Sequence, residues 1–193
     1  MIIFDLDTLA DCKHRRHFVD PSKNSCFEVD WPHVMQINAL TVPKWRHKET
    51  GKKWKPDWQA FNEACDKDEP IIPIMSVLRS LWGAHDYSVI EIWTGRCESV
   101  RQKTEAWLMK YGVLKGRLKM RPIGDNRPAH ELKEQWLDEI MWAYINPVDG
   151  KIEPTQEALT RIDFIFDSDP DSIAMWKRRG IFVFNCAQHD EEF

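Results

Sequence analysis

Ile2-Ile3-Phe4-Asp5-Leu6-Asp7-Thr8-Leu9-Ala10 opens on an apolar run and then places two acids one residue apart. A short apolar run bounded by polar residues reads as a buried strand. Side chains alternate along a strand, so Asp5 and Asp7, two positions apart, share a direction. Two carboxylates on one side repel unless positive charge lies between them. A hard cation such as Mg²⁺, with oxygen ligands and retained waters, meets that need. A strand followed by a solvent-facing acidic turn explains these residues equally well when they are taken alone.

The rest of the chain decides between the two. Ser88–Trp93 is a β-rich run that ends in Thr94-Gly95-Arg96. Glu98–Tyr111 has helical spacing, with Val100, Thr104, Trp107, Leu108 and Tyr111 on one side, and stops at Gly112. Arg117–Arg121 reads as a short strand and Pro128–Ile145 as a long helix with apolar Leu132, Trp136, Leu137, Ile140 and Tyr144. Asp163–Phe166 is a buried strand, Ser172–Arg179 a helix ended by Gly180, and Ile181–Asn185 a last strand. Strands alternating with helices predict an α/β fold, a Rossmann-like parallel sheet with helices on both faces. Sites in such sheets lie at the carboxyl ends of the strands. That rule selects Asp5, Asp7, Thr94 and Asp167, with Lys133 one turn into the helix after the Gly124-Asp125-Asn126-Arg127 loop.

Composition bounds the rest. The 193 residues fit one domain, 1–193, with room for an inserted module, and the formal charge of -4 argues against a wholly basic nucleic-acid binder. No stretch reaches the length of a membrane span, and the start at Met1 leaves no room for a signal peptide, so no membrane partner is expected. Five scattered cysteines, Cys12, Cys26, Cys65, Cys97 and Cys186, read as free thiols in a reducing cytoplasm.

Residues 18–70 break the rhythm, with Pro21, Pro32, Pro43 and Pro56 and poor periodicity. They read as an inserted cap or lid after the first strand, with a short helix over Asp57–Asp66 and the regular core resuming at Ile71–Trp82. Inside it, Lys44-Trp45-Arg46-His47-Lys48 and Lys52-Lys53-Trp54-Lys55 put bases around Trp45 and Trp54. Cations interleaved with rings suit a single-stranded nucleic acid or a nucleotide. A solvated loop whose tryptophans pack inward is the plainer account.

Asp5-Leu6-Asp7-Thr8, Thr94, Lys133 and the acids Asp167, Asp169 and Asp171 come in an order and spacing that resembles the haloacid dehalogenase-like superfamily over nearly the whole chain. Thr94-Gly95-Arg96-Cys97-Glu98-Ser99, Lys103-Thr104-Glu105-Ala106-Trp107-Leu108, Gly124-Asp125-Asn126-Arg127 and Phe166-Asp167 with Met175-Trp176-Lys177-Arg178-Arg179-Gly180 are similar to the phosphatase half of phage polynucleotide kinase-phosphatases. No GxxxxGK[ST] is present, so no kinase half is expected.

That resemblance implies a Mg²⁺-dependent phosphatase. Asp5 is the implied nucleophile and Asp7 the general acid and base. Asp5, the Asp7 main-chain carbonyl and Asp167 are the implied Mg²⁺ ligands, and Thr94 and Lys133 hold the phosphoryl oxygens. Arg15 or Arg16, with Arg15 preferred, is implied at the substrate phosphate. Gly95 and Arg96, beside Thr94, are further candidates for substrate binding, Arg96 to contact phosphate or to pair with an acid, and Trp45 and Trp54 are the candidate ring contacts. The expected substrate is a phosphorylated nucleotide or nucleic-acid 3′ end in the cytoplasm of a bacterial or phage-infected cell. The chain departs from the family pattern in lacking a Gly before Thr8, in Ala129 four residues before Lys133, and in Ser168 after Asp167. These departures keep open a second reading, a catalytically weak nucleotide- or nucleic-acid-binding protein on the same fold.

Overall fold

The structure, a computed structural model, describes residues 1–30, 35–37, 40–42, 44–83, 90–113, 117–142 and 162–187, with main chain only at 35–37, 40–42 and 141–142. Pro32, Pro43, Ser88, Val89, Tyr144, Ile145 and the acidic end at 190–192 lie outside the described residues. Two compact units are present, one formed by Met1–Asp11 with Glu69–Phe193 and the other by Cys12–Asp68.

The first unit is built on a five-stranded parallel sheet. Its strands are β1 (Ile2–Asp5), β8 (Ile90–Cys97), β9 (Arg117–Arg121), β10 (Phe164–Asp167) and β11 (Val183–Asn185). Their spatial order is β11-β10-β1-β8-β9, and every described pairing among them is parallel. The chain moves outward from β1 through β8 to β9, then crosses back to the other side of β1 for β10. The order therefore reverses between β1 and β10, and ligands in such sheets bind in the crevice beyond the carboxyl ends at that point.

Period-2 alternation sorts β1 onto two cores. Ile2 and Phe4 pack with Met75 and Leu78 of α2 (Ile72–Gly83) and with Trp107 and Leu108 of α3 (Arg101–Lys110). Ile3 packs on the opposite side with Leu132, Trp136 and Leu137 of α4 (Ala129–Trp142) and with Met175 and Trp176 of α5 (Pro170–Arg178). Phe4 stacks on Phe166 at 4.4 Å, and Phe166 on Phe184 at 4.9 Å, so three rings run across adjacent strands. Each such pair is worth about 0.5–1.5 kcal/mol beyond its buried area.

The expected elements sit close to their places, with two differences at the sheet's end. Asp5 and Asp167 are the last residues of their strands rather than the first after them. Thr94, Gly95 and Arg96 lie inside β8, which outlasts its neighbour because its register against β9 shifts between Thr94 and Cys97. A bulge of this kind bends a strand and re-aims its side chains.

The second unit holds the strands β3 (Phe27–Val29) and β6 (Trp45–His47), paired antiparallel, and a further antiparallel pair, β4 (Met35–Ile37) with β5 (Leu40–Val42). A short helix, α1 (Trp58–Glu63), is capped by Asp57, whose carboxylate accepts the Ala60 N–H at 2.9 Å. In the first unit β2 (Ala10–Asp11) and β7 (Glu69–Pro70) pair antiparallel, so the chain departs and returns side by side.

Candidate active site

Asp5 and Asp167 end the two strands that flank the switch point. Phe4 pairs with Phe166, and one step further puts the two acids level. Alternation gives them the same face as Ile3 and Ile165, the face covered by α4 and α5. From α4, Lys133 reaches down between them: its Nζ lies 3.0 Å from Asp5 Oδ1 and donates to Asp167 Oδ2 at 2.8 Å. All three side chains are buried.

A second set of contacts orients this trio. Trp176 Nε1 donates to Asp167 Oδ2 at 2.9 Å, and the Asp169 N–H donates to Asp167 Oδ1 at 3.0 Å. Lys133 Nζ also donates to Ser172 Oγ at 3.3 Å. Ser172 in turn donates from its N–H and its hydroxyl to Asp169 Oδ2, at 2.9 and 2.6 Å. Asp169 is thereby the N-cap of α5. The position four residues before Lys133 is Ala129, and here the lysine is held instead by two aspartates and a serine from the opposite helix.

The turn after β1 is tight. Leu6–Thr8 form a single 3₁₀ turn, in which the buried Thr8 hydroxyl donates to the Asp5 carbonyl at 2.6 Å and the Asp7 N–H donates to Asp5 Oδ2 at 3.2 Å. Thr8 directly after Asp7 is what this bond uses. The Asp7 side chain is 48% exposed, and Arg96 Nη2 lies 3.7 Å from its Oδ1. Asp5 and Asp7 thus occupy contrasting environments, one dry and one wet. Thr94 is buried beside them in β8, its hydroxyl accepting the Arg96 N–H at 3.1 Å.

Burial pushes the Asp5 carboxyl up to about 8; Lys133 opposes this, while Asp167 and Asp7 add to it. Burial disfavours the Lys133 ammonium, yet Asp5 and Asp167 outweigh that and hold it above its ordinary range. One ammonium between two buried carboxylates leaves negative charge over, which a proton or a further cation can offset.

Sequence reasoning did not find Trp176, Ser172 or Arg121 in these roles. Arg121 donates from Nε to the Gly95 carbonyl at 2.8 Å and from Nη1 to the Arg127 carbonyl at 2.6 Å, bracing the 124–127 loop against β8. A Cβ at Gly95 would meet Arg121 Nη2 at 3.3 Å and Ala129 Cβ at 3.7 Å, so a side chain there crowds this brace.

Asp5, Asp7, Thr94, Gly95, Arg96, Lys133 and Asp167 are therefore gathered at one end of the first unit's sheet. Arg15, Arg16, Trp45 and Trp54 belong to the second unit. Arg15, the preferred phosphate-binding arginine of the sequence reading, is corrected by its surroundings. It is fully buried and donates from Nε and Nη2 to the two oxygens of Asp68, each at 2.7 Å. Its Nη1 donates to the Phe61 carbonyl at 2.9 Å, and its guanidinium lies 4.0 Å from the Phe61 ring centre. A fork satisfied in this way ties Cys12–Asp68 together. Arg16, its neighbour, is exposed.

No family model and no curated protein matches the chain. Among solved structures it is similar to a chain of the Pnkp1/Rnl/Hen1 RNA repair complex, with a TM-score of 0.52, 23% identity, and coverage of 67% of this chain and 37% of that one. A chain of a second Pnkp1/Rnl/Hen1 complex structure gives 0.50 and 23%, covering 66% and 39%. This chain thus spans under two fifths of those neighbours, and at that identity the likeness is one of fold.

Proposed function

We propose that this chain is a Mg²⁺-dependent phosphomonoesterase of the haloacid dehalogenase-like kind, acting through an aspartyl-phosphate on a nucleic-acid 3′-phosphate or a nucleotide. The observation that carries this reading is the Lys133 ammonium seated between Asp5 and Asp167 at the strand-order switch point, with Thr94 beside them. The fold likeness to chains of RNA repair complexes adds support for a nucleic-acid substrate.

The roles follow those the resemblance implies. Asp5 attacks phosphorus, and its new O–P bond forms as the bond to the leaving oxygen breaks. Asp7, exposed and beside Arg96, gives its proton to that oxygen and later takes one from the attacking water. Thr94 and Lys133 donate to the phosphoryl oxygens and offset their charge.

For the cation, the donors are the Asp5 and Asp167 carboxylates and the Asp7 main-chain carbonyl. Among the described residues no group of three or more His, Cys, Asp or Glu side chains is placed to form a metal cage. One or two carboxylates, waters and a substrate phosphate form the ordinary Mg²⁺ set. When bound, the ion neutralises phosphoryl charge and orients the group. The raised Asp5 pKa fits this donor set, since a cation supplies the positive charge that the protein lacks there.

Two expected results follow. Release of p-nitrophenol from p-nitrophenyl phosphate stops in EDTA and returns with Mg²⁺, and full activity in a chelated sample overturns the mechanism. The cation also stabilises the fold, by about 2.7 kcal/mol at a hundredfold excess over its dissociation constant. Asp5 carries a proton in the folded, metal-free protein up to about pH 8 but loses it near pH 4 when unfolded, so metal-free stability falls as pH rises through that window. Mg²⁺ competes with that proton, and its gain in melting temperature is larger at pH 8 than at pH 6. A panel of 3′-phosphorylated oligonucleotides, nucleoside 3′- and 5′-monophosphates and sugar phosphates then ranks substrates. Binding across that panel without turnover supports the weak-binding reading instead.

Asp7→Asn tests the division of labour. It keeps the main-chain carbonyl and removes the proton donor, so turnover of an alkyl phosphate falls about 10²- to 10⁴-fold. p-Nitrophenyl phosphate, whose leaving group needs little protonation, suffers less in the first step, and phosphoenzyme accumulates because water is no longer activated. Equal losses on both substrates with no trapped phosphoenzyme, read by single-turnover kinetics, remove Asp7 from that role.

A further inference from the structure

The second unit carries a set of rings that the catalytic reading leaves unused. β3 and β6 are extended by a third antiparallel row, because Lys53 bridges Arg46, the Trp54 N–H donates to the Trp45 carbonyl at 2.9 Å, and the His47 N–H donates to the Lys52 carbonyl at 2.9 Å. Residues directly opposite across antiparallel strands share a face. Register therefore puts Val29, Trp45 and Trp54 in one row and Phe27, His47 and Lys52 in the next, all on one face of this small sheet. Phe27 and His47 meet edge to face at 5.2 Å. His47 Nδ1 accepts the Glu49 and Thr50 N–H groups at 3.2 and 3.3 Å, which sets the plane of its ring.

The opposite face is different in kind. It carries Glu28, Arg46 and Lys53 and no ring, and Arg46 is ion-paired with Asp30. Of the cations, the register puts Lys52 on the ring face, and the exposed Lys48 and Lys55 follow directly on its ring residues His47 and Trp54, just beyond the paired positions. Residues 44–55 contain six Lys or Arg and a single acid, Glu49, within a chain of net charge -4. This local excess of cations is complementary to a phosphate backbone. Packing alone does not account for the rings: Phe27, Trp45, His47 and Trp54 are each half-buried, and among the described residues neither hydrophobic core includes any residue of this unit.

We infer that this face is a binding platform for a single-stranded nucleic acid, with bases stacked on Trp45, Trp54, Phe27 and His47 and phosphates held by Lys48, Lys52 and Lys55. Every base has a π-face, so such a platform accepts strands with little regard to sequence, while a duplex, its bases already stacked, is refused. The platform goes beyond the phosphatase reading and stands or falls apart from it.

The test uses the full chain in EDTA and a short fluorescein-labelled oligouridylate with a 3′-hydroxyl, so that no phosphate chemistry takes part. Anisotropy reports binding at low salt, with quenching of tryptophan fluorescence, and an oligothymidylate behaves alike. Trp54→Ala weakens binding roughly tenfold to hundredfold. Lys52→Ser with Lys55→Ser, two exposed positions whose loss leaves the fold intact, lowers the slope of log affinity against log salt by about 1.4, two phosphate contacts being lost from a single strand. Three results overturn the proposal: no binding of either strand at low salt, a matched duplex bound as tightly as the single strand, or unchanged affinity and salt slope in the lysine variant. Because catalysis is absent from the assay, loss of phosphatase activity elsewhere leaves the platform untouched, and the reverse holds too.

Discussion

Asp5→Asn removes turnover, by roughly 10⁴-fold or more, because the amide can neither attack phosphorus nor carry the phosphoryl group. The fold does not suffer with it. Asparagine keeps the shape of the side chain and an oxygen to accept the Asp7 N–H. It gives up an ionic partner of Lys133 but also relieves a carboxylate that burial already pushes up to about 8. In chelator at pH 8 the variant therefore melts at or above the wild-type temperature, an exchange of activity for stability that active sites commonly show. Melting curves and p-nitrophenyl phosphate assays on the same preparation check both halves. Retained turnover eliminates Asp5 as nucleophile, and a well-folded protein without turnover is the outcome expected.

Lys133→Met has the opposite balance. It leaves Asp5 and Asp167 facing one another in a buried site with no cation between them, and breaking a buried pair in this way costs about 3–5 kcal/mol. The folded protein responds by keeping a proton on one of the two acids, which raises that carboxyl further above its unfolded value. A raised folded pKa means that the folded state holds more protons than the unfolded one, so stability falls as pH rises. Urea denaturation in EDTA should show the full loss at pH 8 and a smaller one at pH 5. Equal losses at the two values would mean that the lysine acts by packing rather than by charge. Turnover falls as well, since the ammonium is a donor to the phosphoryl oxygens in the proposed mechanism.

Much of the site is legible in the sequence. Ile2–Phe4 and Asp163–Phe166 are apolar runs that stop at acids, and in a parallel sheet an acid at a carboxyl end is where a ligand binds. Thr94 follows from the same reasoning, and Lys133, on a helix, from its place after the 124–127 loop and from the resemblance. Arg15 shows its limit. The resemblance implied a phosphate-binding arginine there, close behind the first strand, but Asp68 and Phe61 close around it. Nothing local to His14-Arg15-Arg16-His17 marks one arginine as buried and the next as exposed.

Hydrophobic periodicity and the order of strands and helices are local properties, written into short runs of residues, so the α/β class and the acids that end strands are legible without any fold in hand. Partnership is not local. Among 27 Lys and Arg and 31 Asp and Glu, charge alone does not choose which of them meet. The crossover that seats β10 beside β1 chooses, and it brings Lys133 onto Asp167 across 34 residues and Trp176 under the same carboxylate. Tertiary structure alone likewise decided that Arg15 pairs with Asp68 across 53 residues and that Trp45 and Trp54 share a face. The reason is the same in each case. A buried charge is tolerable only where packing delivers its counter-charge, and a ring's face is set by the strand register in which it is caught.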